Sequence, residues 1–187
     1  MAALLRFSRF IDALNDKIGR SAAWVVFATV VLSAFGAIVR YLDKYIGTSL
    51  SRNEYNEGQW YLYAIAFLLM GAYTLKVGGH VRVDILVTHL PKRAQYWLEA
   101  VLSLLFVTLV YCVVAFISWD FVYRSVSTLE MSSDAGGLPR WVIKPFMTIG
   151  MVLMALQGLS EAIKAFDKIF RPEAHQDDNE DVLKGAV

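Results

Sequence analysis

The sequence is poor in the residues from which membrane-embedded redox and metal sites are built. It contains one cysteine and three histidines. The single Cys112 excludes an intrachain disulfide and a cysteine metal cluster. His80, His89 and His175 lie outside the long apolar segments, so none is placed to bind haem within a helix bundle. No metal-ligand or phosphate-binding spacing occurs, and we predict no cofactor.

Charged residues are also scarce, and they avoid four apolar segments. They make up 19% of the chain, against about 25% in soluble domains. The apolar segments are residues 22–39, 58–77, 100–118 and 141–160. Each is close to the roughly 17–25 helical residues needed to cross a bilayer. The sequence therefore predicts an all-α polytopic membrane protein with four transmembrane helices. A formal net charge of +1 gives no reason to expect nucleic-acid binding.

No carboxylate lies in the middle of a predicted span. Glu99 and Asp120 are the nearest, and both lie at the ends of the third span. An intramembrane carboxylate is the group with which a carrier or exporter binds a proton or cation. Its absence disfavours an autonomous ion-coupled carrier and indicates that the spans serve as a scaffold.

The two ends of the chain differ from the apolar middle, residues 21–166, which we predict to be one transmembrane domain. In residues 1–20, apolar side chains recur at steps of three and four, which predicts an amphipathic helix rather than a secretory signal. We expect this helix to lie in the membrane surface; the alternative is that its apolar seam packs on a partner protein. Residues 167–187 are acidic and are predicted to form a disordered tail.

The distribution of basic residues predicts the orientation in the membrane. Twelve of the 18 lysines and arginines lie in the N-terminal segment, in the loop between spans two and three, and in the tail. Short cytoplasmic loops are enriched in such residues, so both termini and this loop are expected to be cytoplasmic. The loop between spans three and four is then external.

Small residues recur every three or four positions on two spans. They are Thr29, Ser33 and Ala37 on the first span and Ala155 and Gly158 on the fourth. Small side chains let helix backbones approach closely in lipid. Two interpretations remain open: the stripes pack the four spans on one another, or one of them binds a separate membrane subunit.

Two loop segments carry the most specific pattern. The cytoplasmic loop contains the run Gly-His-Val-Arg-Val-Asp at residues 79–84, and the external loop contains Glu-x-Ser-Ser followed by Gly-Gly-Leu-Pro-x-Trp-x-Ile-Lys at residues 130–144. In this order around four spans, the chain resembles the small membrane subunit of tripartite ATP-independent periplasmic (TRAP) transporters, the DctQ-like family. The resemblance covers roughly residues 15–165.

The resemblance implies a function that residue spacing alone does not give. Such a subunit lies in the bacterial inner membrane with a large DctM-like permease subunit, and a soluble periplasmic DctP-like protein delivers the substrate. The system would import an organic acid together with sodium. The small subunit would be a static scaffold for the elevator-type large subunit, would contact membrane lipids, and would not be an enzyme.

Two sets of loop residues are predicted to contact partners. For docking of the binding protein we select Glu130, Asp134, Arg140 and Trp141, since aromatic residues and arginine are favoured at interface centres. Arg140 or Lys144 has an alternative role as a headgroup anchor for span four. In the cytoplasmic loop, His80, Arg82 and Asp84 are predicted to contact a partner or lipid phosphates, unless Arg82 and Asp84 only pair with each other.

Two other classes of function remain open from the residues alone. One is a self-associating four-helix channel or exporter, which needs a polar line across at least one helix, and the spans offer little of one. The other is a membrane enzyme, for which His80, Arg82 and Asp84 are the only candidate cluster. Their spacing matches no catalytic arrangement.

Overall fold

The computed structural model describes residues 2–47, 52–79 and 90–171 and is helical over nearly all of them. Its helices are α1 (Ala2–Ile46), α2 (Asn53–Lys76), α3 (Lys92–Leu102), α4 (Val110–Ser127) and α5 (Arg140–Phe170). Seven π-helical residues, Ser103–Leu109, join α3 to α4 without a break. The only β-type pairing in these ranges is an isolated bridge between Met131 and Pro139. The all-α prediction is confirmed for this part of the chain.

Three helical segments within the described ranges are long and apolar enough to cross a membrane: α1, the continuous rod Lys92–Ser127, and α5. The remaining predicted span, residues 58–77, falls on α2, whose 24 residues extend about 36 Å. That length suffices to cross, but α2 begins with a polar run and does not reach the same apolar content. It lies between α1 and α5, which cover part of its surface. Three of the four predicted spans are therefore supported.

The N-terminal segment is not a separate interfacial helix. Residues 2–46 form one continuous helix, and the predicted boundary at residue 20 corresponds to no break. The buried face of this segment contains Ser8, Ile11 and Asn15. It is not the predicted apolar seam, which comprises Leu4, Phe7, Ile11, Leu14 and Ile18: Leu4 and Phe7 are exposed, Leu14 and Ile18 are half-buried, and Ile11 alone is buried. Gly19 faces α2 so closely that a Cβ there would lie 2.4 Å from Cγ of Tyr73. Leu14 and Ile18 pack against the chain's own core, whereas Leu4 and Phe7 remain open to lipid or a partner.

Helix α5 is the centre of the packing and contacts every other helix in the described ranges. Its glycines allow this close approach. A Cβ on Gly150 would lie 2.8 Å from the carbonyl oxygen of Leu68 on α2. A Cβ on Gly158 would lie 2.7 Å from Cγ1 of Val107 in the π-helical stretch. Because lipid provides no hydrophobic force between helices, such close backbone contacts hold the bundle together.

The chain end follows the prediction only in part. Helix α5 continues to Phe170, so the first residues of the predicted tail, 167–170, are helical. The rest of the tail beyond residue 171 lies outside the described residues.

Candidate partner-binding surfaces

The loop between α4 and α5, Thr128–Pro139, is closed where it leaves and re-enters the bundle. The carbonyl oxygen of Glu130 accepts hydrogen bonds from the backbone N–H groups of Arg140 (2.9 Å) and Trp141 (3.3 Å). The carboxylate of Glu130 accepts a hydrogen bond from the Lys144 ammonium. Glu130 therefore joins the start of the loop to the first turn of α5.

A second set of contacts ties the loop to α2. Glu57 is 1% exposed, and its carboxylate accepts hydrogen bonds from the Ser132 hydroxyl and the Leu138 backbone N–H. The hydroxyl of Tyr61, one turn further along α2, donates to the Leu138 carbonyl oxygen at 3.3 Å. The two sides of the loop lie close together at Gly137, where a Cβ would lie 2.3 Å from Cβ of Ser132. The loop is therefore held in one conformation from two sides.

We call the contacts of Glu57 and Glu130 with the loop and Lys144 the loop clasp. Hydrogen bonds from Ser132 and from the Leu138 backbone, with the positive charge of Arg140, lower the pKa of Glu57 below its ordinary value of 4.5. The hydrogen bond from Lys144 is the largest cause of the lowered pKa of Glu130. Both carboxylates therefore stay ionised at neutral pH, which keeps the clasp closed.

Sequence reasoning missed Glu57. It follows Glu54 by three residues in a polar run just before α2 becomes apolar. Nothing in the sequence of that run distinguishes the two glutamates. In the structure they differ, because Glu54 makes a surface ion pair with Arg52. The partners of Glu57 lie 75 and 81 positions away in the sequence.

The four predicted docking residues occupy different positions. Glu130 faces Lys144, whose ammonium lies 4.0 Å from the centroid of the Phe121 ring. The Arg140 guanidinium donates to the Ser133 hydroxyl at 3.1 Å. The structure thus brings Glu130 and Arg140 together at the base of the loop.

The other two predicted docking residues, Asp134 and Trp141, differ in how far they are exposed. Asp134 is exposed near the loop tip, where its carbonyl oxygen accepts a hydrogen bond from Gly137. Trp141 is half-buried in the first turn of α5. Asp134 is thus the predicted docking residue most open to another molecule.

The alternative of a headgroup anchor applied to Arg140 and Lys144. The side chain of Lys144 is 15% exposed. It is turned towards Glu130 and Phe121 rather than away from the chain. Lys144 therefore contributes to closing the loop.

The opposite end of the bundle contains a buried polar network between α1 and α5. Asn15 donates to Gln157 Oε1 at 2.7 Å, and Gln157 donates to Asp12 at 2.9 Å. Asp12 also accepts from Ser160 at 2.8 Å and pairs with Lys164 at 3.2 Å. These contacts hold the N-terminal part of α1 on α5. We call these residues the polar network.

The predicted cytoplasmic-loop residues His80, Arg82 and Asp84 lie outside the described residues. Close to this loop, Lys76 at the end of α2 pairs with Asp16 of α1 at 2.8 Å. Asp16 also pairs with Arg20 at 2.8 Å. Helices α1 and α2 are therefore tied by charge where the loop begins.

The two small-residue stripes have different surroundings. On α5, Ala155 is buried and Gly158 contacts the π-helical stretch. On α1, Thr29, Ser33 and Ala37 are half-buried. Thr29 also lines an apolar cavity of about 580 Å³ with residues of α2, α4 and α5.

The flanks of the bundle are apolar and exposed. On α1 they include Trp24 (75% exposed) and Phe27 (60%), and on α4 Phe116 (82%) and Trp119 (61%). Such side chains need lipid or another membrane protein as surroundings. Across the residues that the structure describes, no group of three histidine, cysteine or acidic side chains is arranged to hold a metal ion.

These features define a small helical membrane protein whose polar contacts hold its own helices and one loop together. Its apolar flanks remain open. A family model described as "Tripartite ATP-independent periplasmic transporters, DctQ component" matches residues 30–168. The match covers most of the chain, and the chain therefore belongs to this family. The resemblance inferred from the two loop segments is confirmed.

Family membership settles the broad class. A DctQ component is part of a transporter and not an enzyme, as predicted. Components of this family work with DctM and DctP components. Comparison with curated proteins and comparison with solved structures gave no match.

Proposed function

We propose that this chain is the small membrane subunit of a sodium-coupled importer of an organic acid. In this proposal it is the static scaffold on which a large DctM-like subunit moves substrate across the membrane. The observation that carries the proposal is the family match over residues 30–168. Sodium coupling and the substrate class rest on the family resemblance alone.

A scaffold has to keep its shape while its partner moves, and the two sets of polar contacts support this role. The loop clasp ties α2, α4 and α5 at one end. The polar network ties α1 to α5 at the other. Packed helices move by switching between discrete arrangements rather than by bending continuously. Because both ends of this bundle are held by polar contacts, we expect its helices to keep one arrangement.

The exposed flanks are the surfaces proposed for the large subunit and for lipid. Helices α1 and α4 both carry exposed aromatic side chains, which are enriched at interface centres and at membrane surfaces. In the proposed topology α2 also crosses the membrane, as the second of four spans, shielded by α1 and α5. Both termini are then on the cytoplasmic side of the bacterial inner membrane.

The α4–α5 loop is the proposed external docking surface for the DctP-like binding protein. Its clasp preorganises the loop, which reduces the entropy lost on binding. Asp134 and Trp141 would contact the partner, while Glu130 and Arg140 would hold the surface in place.

The cytoplasmic loop is proposed to contact the large subunit or lipid phosphates through His80, Arg82 and Asp84. An Arg82→Ala change should lower the yield of the assembled complex without changing the affinity of the soluble binding protein for its substrate. Unaltered assembly and uptake would remove this role.

Affinity purification from native membranes tests the proposal. The chain, tagged and extracted in mild detergent, should co-purify with a much larger polytopic protein in near-stoichiometric amount. A homo-oligomer of this chain with no such partner would contradict the scaffold role. It would favour the alternative of a self-associating channel or exporter.

A further inference from the structure

A groove of about 330 Å³ lies between α1 and α2, and the proposed function makes no use of it. Its floor is apolar, since Ile18 and Leu69 pack against the core residues Ala72 and Leu153. One end of the groove carries a cation. The lining residues are Lys17, Ile18, Ser21, Ala22, Val25 and Leu69.

The side chains that line the groove offer an occupant one polar group. The Ser21 hydroxyl is bonded within α1, to the carbonyl oxygen of Lys17 at 2.9 Å. Lys17 is exposed and makes no ion pair with the residues that the structure describes. An occupant that matches this lining has one anionic group at the Lys17 end and hydrocarbon along the rest.

Positive charge is in excess around Lys17. The neighbouring carboxylate, Asp16, pairs with both Lys76 and Arg20, each at 2.8 Å. Three cations thus surround one carboxylate, which leaves an excess of two positive charges next to this end of the groove. Such an excess attracts an anion, and salt weakens the attraction.

The predicted spans place Lys17 in the interfacial layer of the membrane. Ala22, where the first span is predicted to begin, is five residues further along α1, about 7.5 Å. The interfacial layer is roughly 5–8 Å deep on each side. Lys76, near the predicted end of the second span, pairs with the residue next to Lys17. Ser8, bonded to Ser160 at the predicted end of the fourth span, lies further out. Lys17 is therefore between the outermost and innermost of these levels.

A phospholipid has the matching chemistry at this depth. Side chains on a helix lean towards its N-terminus, so the Lys17 ammonium is directed towards the headgroups. Val25, at the other end of the groove, is eight residues further along α1, about 12 Å, and lies within the predicted first span. Acyl chains are the surroundings there. A cation at the membrane that no carboxylate of the protein neutralises is stabilised by an anionic lipid headgroup.

We propose that this groove binds one anionic phospholipid. Its phosphate pairs with Lys17, and one acyl chain lies against Ala22, Val25 and Leu69. The excess of positive charge selects a headgroup with net negative charge, such as phosphatidylglycerol, over a zwitterionic one. The inference rests on the proposed function only for the orientation: with a cytoplasmic N-terminus, the lipid belongs to the inner leaflet.

Native mass spectrometry of the full chain in detergent tests the site, with phosphatidylglycerol or phosphatidylcholine of the same acyl chains as the added lipid. The wild type should retain one phosphatidylglycerol and bind it more tightly than phosphatidylcholine. Lys17→Gln should weaken phosphatidylglycerol binding about fivefold, the effect of one basic residue at an anionic surface, and leave phosphatidylcholine binding unchanged. Ser21→Phe places a ring in the groove and should weaken the binding of both lipids.

Two matched controls separate the groove from the rest of α1. Lys44→Gln removes an exposed lysine from the other end of the helix, and Ala23→Phe adds the same ring two residues away at an exposed position outside the groove. Both should bind the lipids as the wild type does. Because Ser21 is exposed, Ser21→Phe should unfold at the wild-type temperature without added lipid, which shows that its weaker binding is not misfolding.

Three results would overturn the proposal. The first is equal affinity of the wild type for the two lipids, or of Lys17→Gln and the wild type for phosphatidylglycerol. The second is wild-type binding by Ser21→Phe, since Lys17 would then anchor headgroups without a groove. The third is loss of the lipid from the complex with the large subunit together with failure of Ser21→Phe to assemble, since the groove would then hold that subunit.

Failure of this inference is distinguishable from failure of the proposed function. The lipid titration of the isolated chain needs neither the large subunit nor the soluble protein. If the chain co-purifies with no large subunit but prefers phosphatidylglycerol through Lys17, only the proposed function is overturned. If it assembles with the large subunit and shows no lipid preference, only the lipid site is overturned.

Discussion

Glu57 makes contacts that no other glutamate of the described residues makes. Its carboxylate accepts a hydroxyl and a backbone N–H from the same loop while almost fully buried. The Leu138 N–H, which is half-buried, bonds no other acceptor among the described contacts, so removal of the carboxylate would leave this donor unsatisfied. A donor left without an acceptor inside a protein loses its hydration with no compensation, and this destabilises the fold by more than the average net contribution of one hydrogen bond.

A Glu57→Gln change tests this at the residue scale. Glutamine keeps the shape but replaces one acceptor oxygen by a donor, which would oppose the Leu138 N–H or force the Ser132 hydroxyl to turn. The unfolding temperature in detergent should fall by about 2–4 °C. Glu54→Gln, three residues earlier and on the surface, is the matched control and should have no effect. Equal unfolding temperatures for the two variants would contradict the role of Glu57.

The same contacts predict how the loop responds to pH. The pKa values of Glu57 and Glu130 are both lowered from 4.5. A carboxylate with a lowered pKa stabilises the folded state above its ordinary pKa, and this contribution is lost as the pH falls through the lowered value. The loop should therefore stay closed from neutral pH down to about 4.5, lose stability progressively below it, and open as the pH falls through the lowered pKa values.

Amide hydrogen exchange at Leu138 and Arg140 measures this opening. Both N–H groups are bonded within the loop clasp. After correction for the intrinsic pH dependence of exchange, their protection should be constant in the neutral range and fall in acid. Protection that stays constant throughout acid titration would show that the carboxylates do not hold the loop.

At the scale of elements, the polar network decides how α1 sits on α5. Asn15 and Gln157 are both almost fully buried and are bonded to each other at 2.7 Å. The Oδ1 atom of Asn15 has no hydrogen-bond partner in the structure. Removing one member of the pair would leave the other with additional unpaired groups.

A double-mutant cycle between Asn15→Leu and Gln157→Leu measures this coupling. Each single change should destabilise the fold by about 1–3 kcal/mol. The double change should be less destabilising than the sum of the two, because no buried partner is then left unpaired. Ser21→Ala is the control, since that hydroxyl bonds only its own helix, at Lys17. Additive effects in chemical denaturation would contradict direct coupling.

The elements also show where sequence reasoning succeeds. The three- and four-residue periodicity of residues 1–20 correctly predicted a helix. It did not identify the buried face, which contains Ser8, Ile11 and Asn15, while Leu4 and Phe7 of the predicted seam are exposed. It gave no information on what covers the seam. No proline interrupts residues 18–22, in line with the continuous helix. The close approach of Gly19 to Tyr73, a contact over 54 positions, has no local signal in the sequence.

The α4–α5 loop likewise combines features with a local sequence signal and contacts without one. The Gly-Gly pair and prolines of residues 130–144 are local turn signals, and the structure holds this segment as a closed loop. Its role in docking stays a prediction. The internal roles of Glu130 and Lys144, and the involvement of Glu57, depend on contacts between helices. The identity of a partner residue across such distances is set by packing, which a single sequence does not encode locally.

At the scale of the whole molecule, composition predicted the class, and the helices agree for three spans. Whether α2 crosses the membrane, as the second of four spans, determines on which side each loop lies. With four spans the α4–α5 loop and the N-terminus lie on opposite sides of the membrane.

Cysteine accessibility tests this topology. In a Cys112→Ser background, a cysteine at position 134 should react with an impermeant maleimide added to spheroplasts. A cysteine at position 2 should react only after the membrane is permeabilised. The reverse pattern would invert the orientation. Labelling of both positions from outside would show that α2 does not cross the membrane.

The scaffold role is tested most directly by uptake into proteoliposomes under a sodium gradient. Liposomes are made with this chain, with the large subunit, or with both, and the soluble binding protein is supplied outside with an organic acid that it binds. The account predicts no uptake by this chain alone and full uptake only when both membrane subunits and the soluble protein are present. Uptake through this chain alone, without the large subunit, would contradict it.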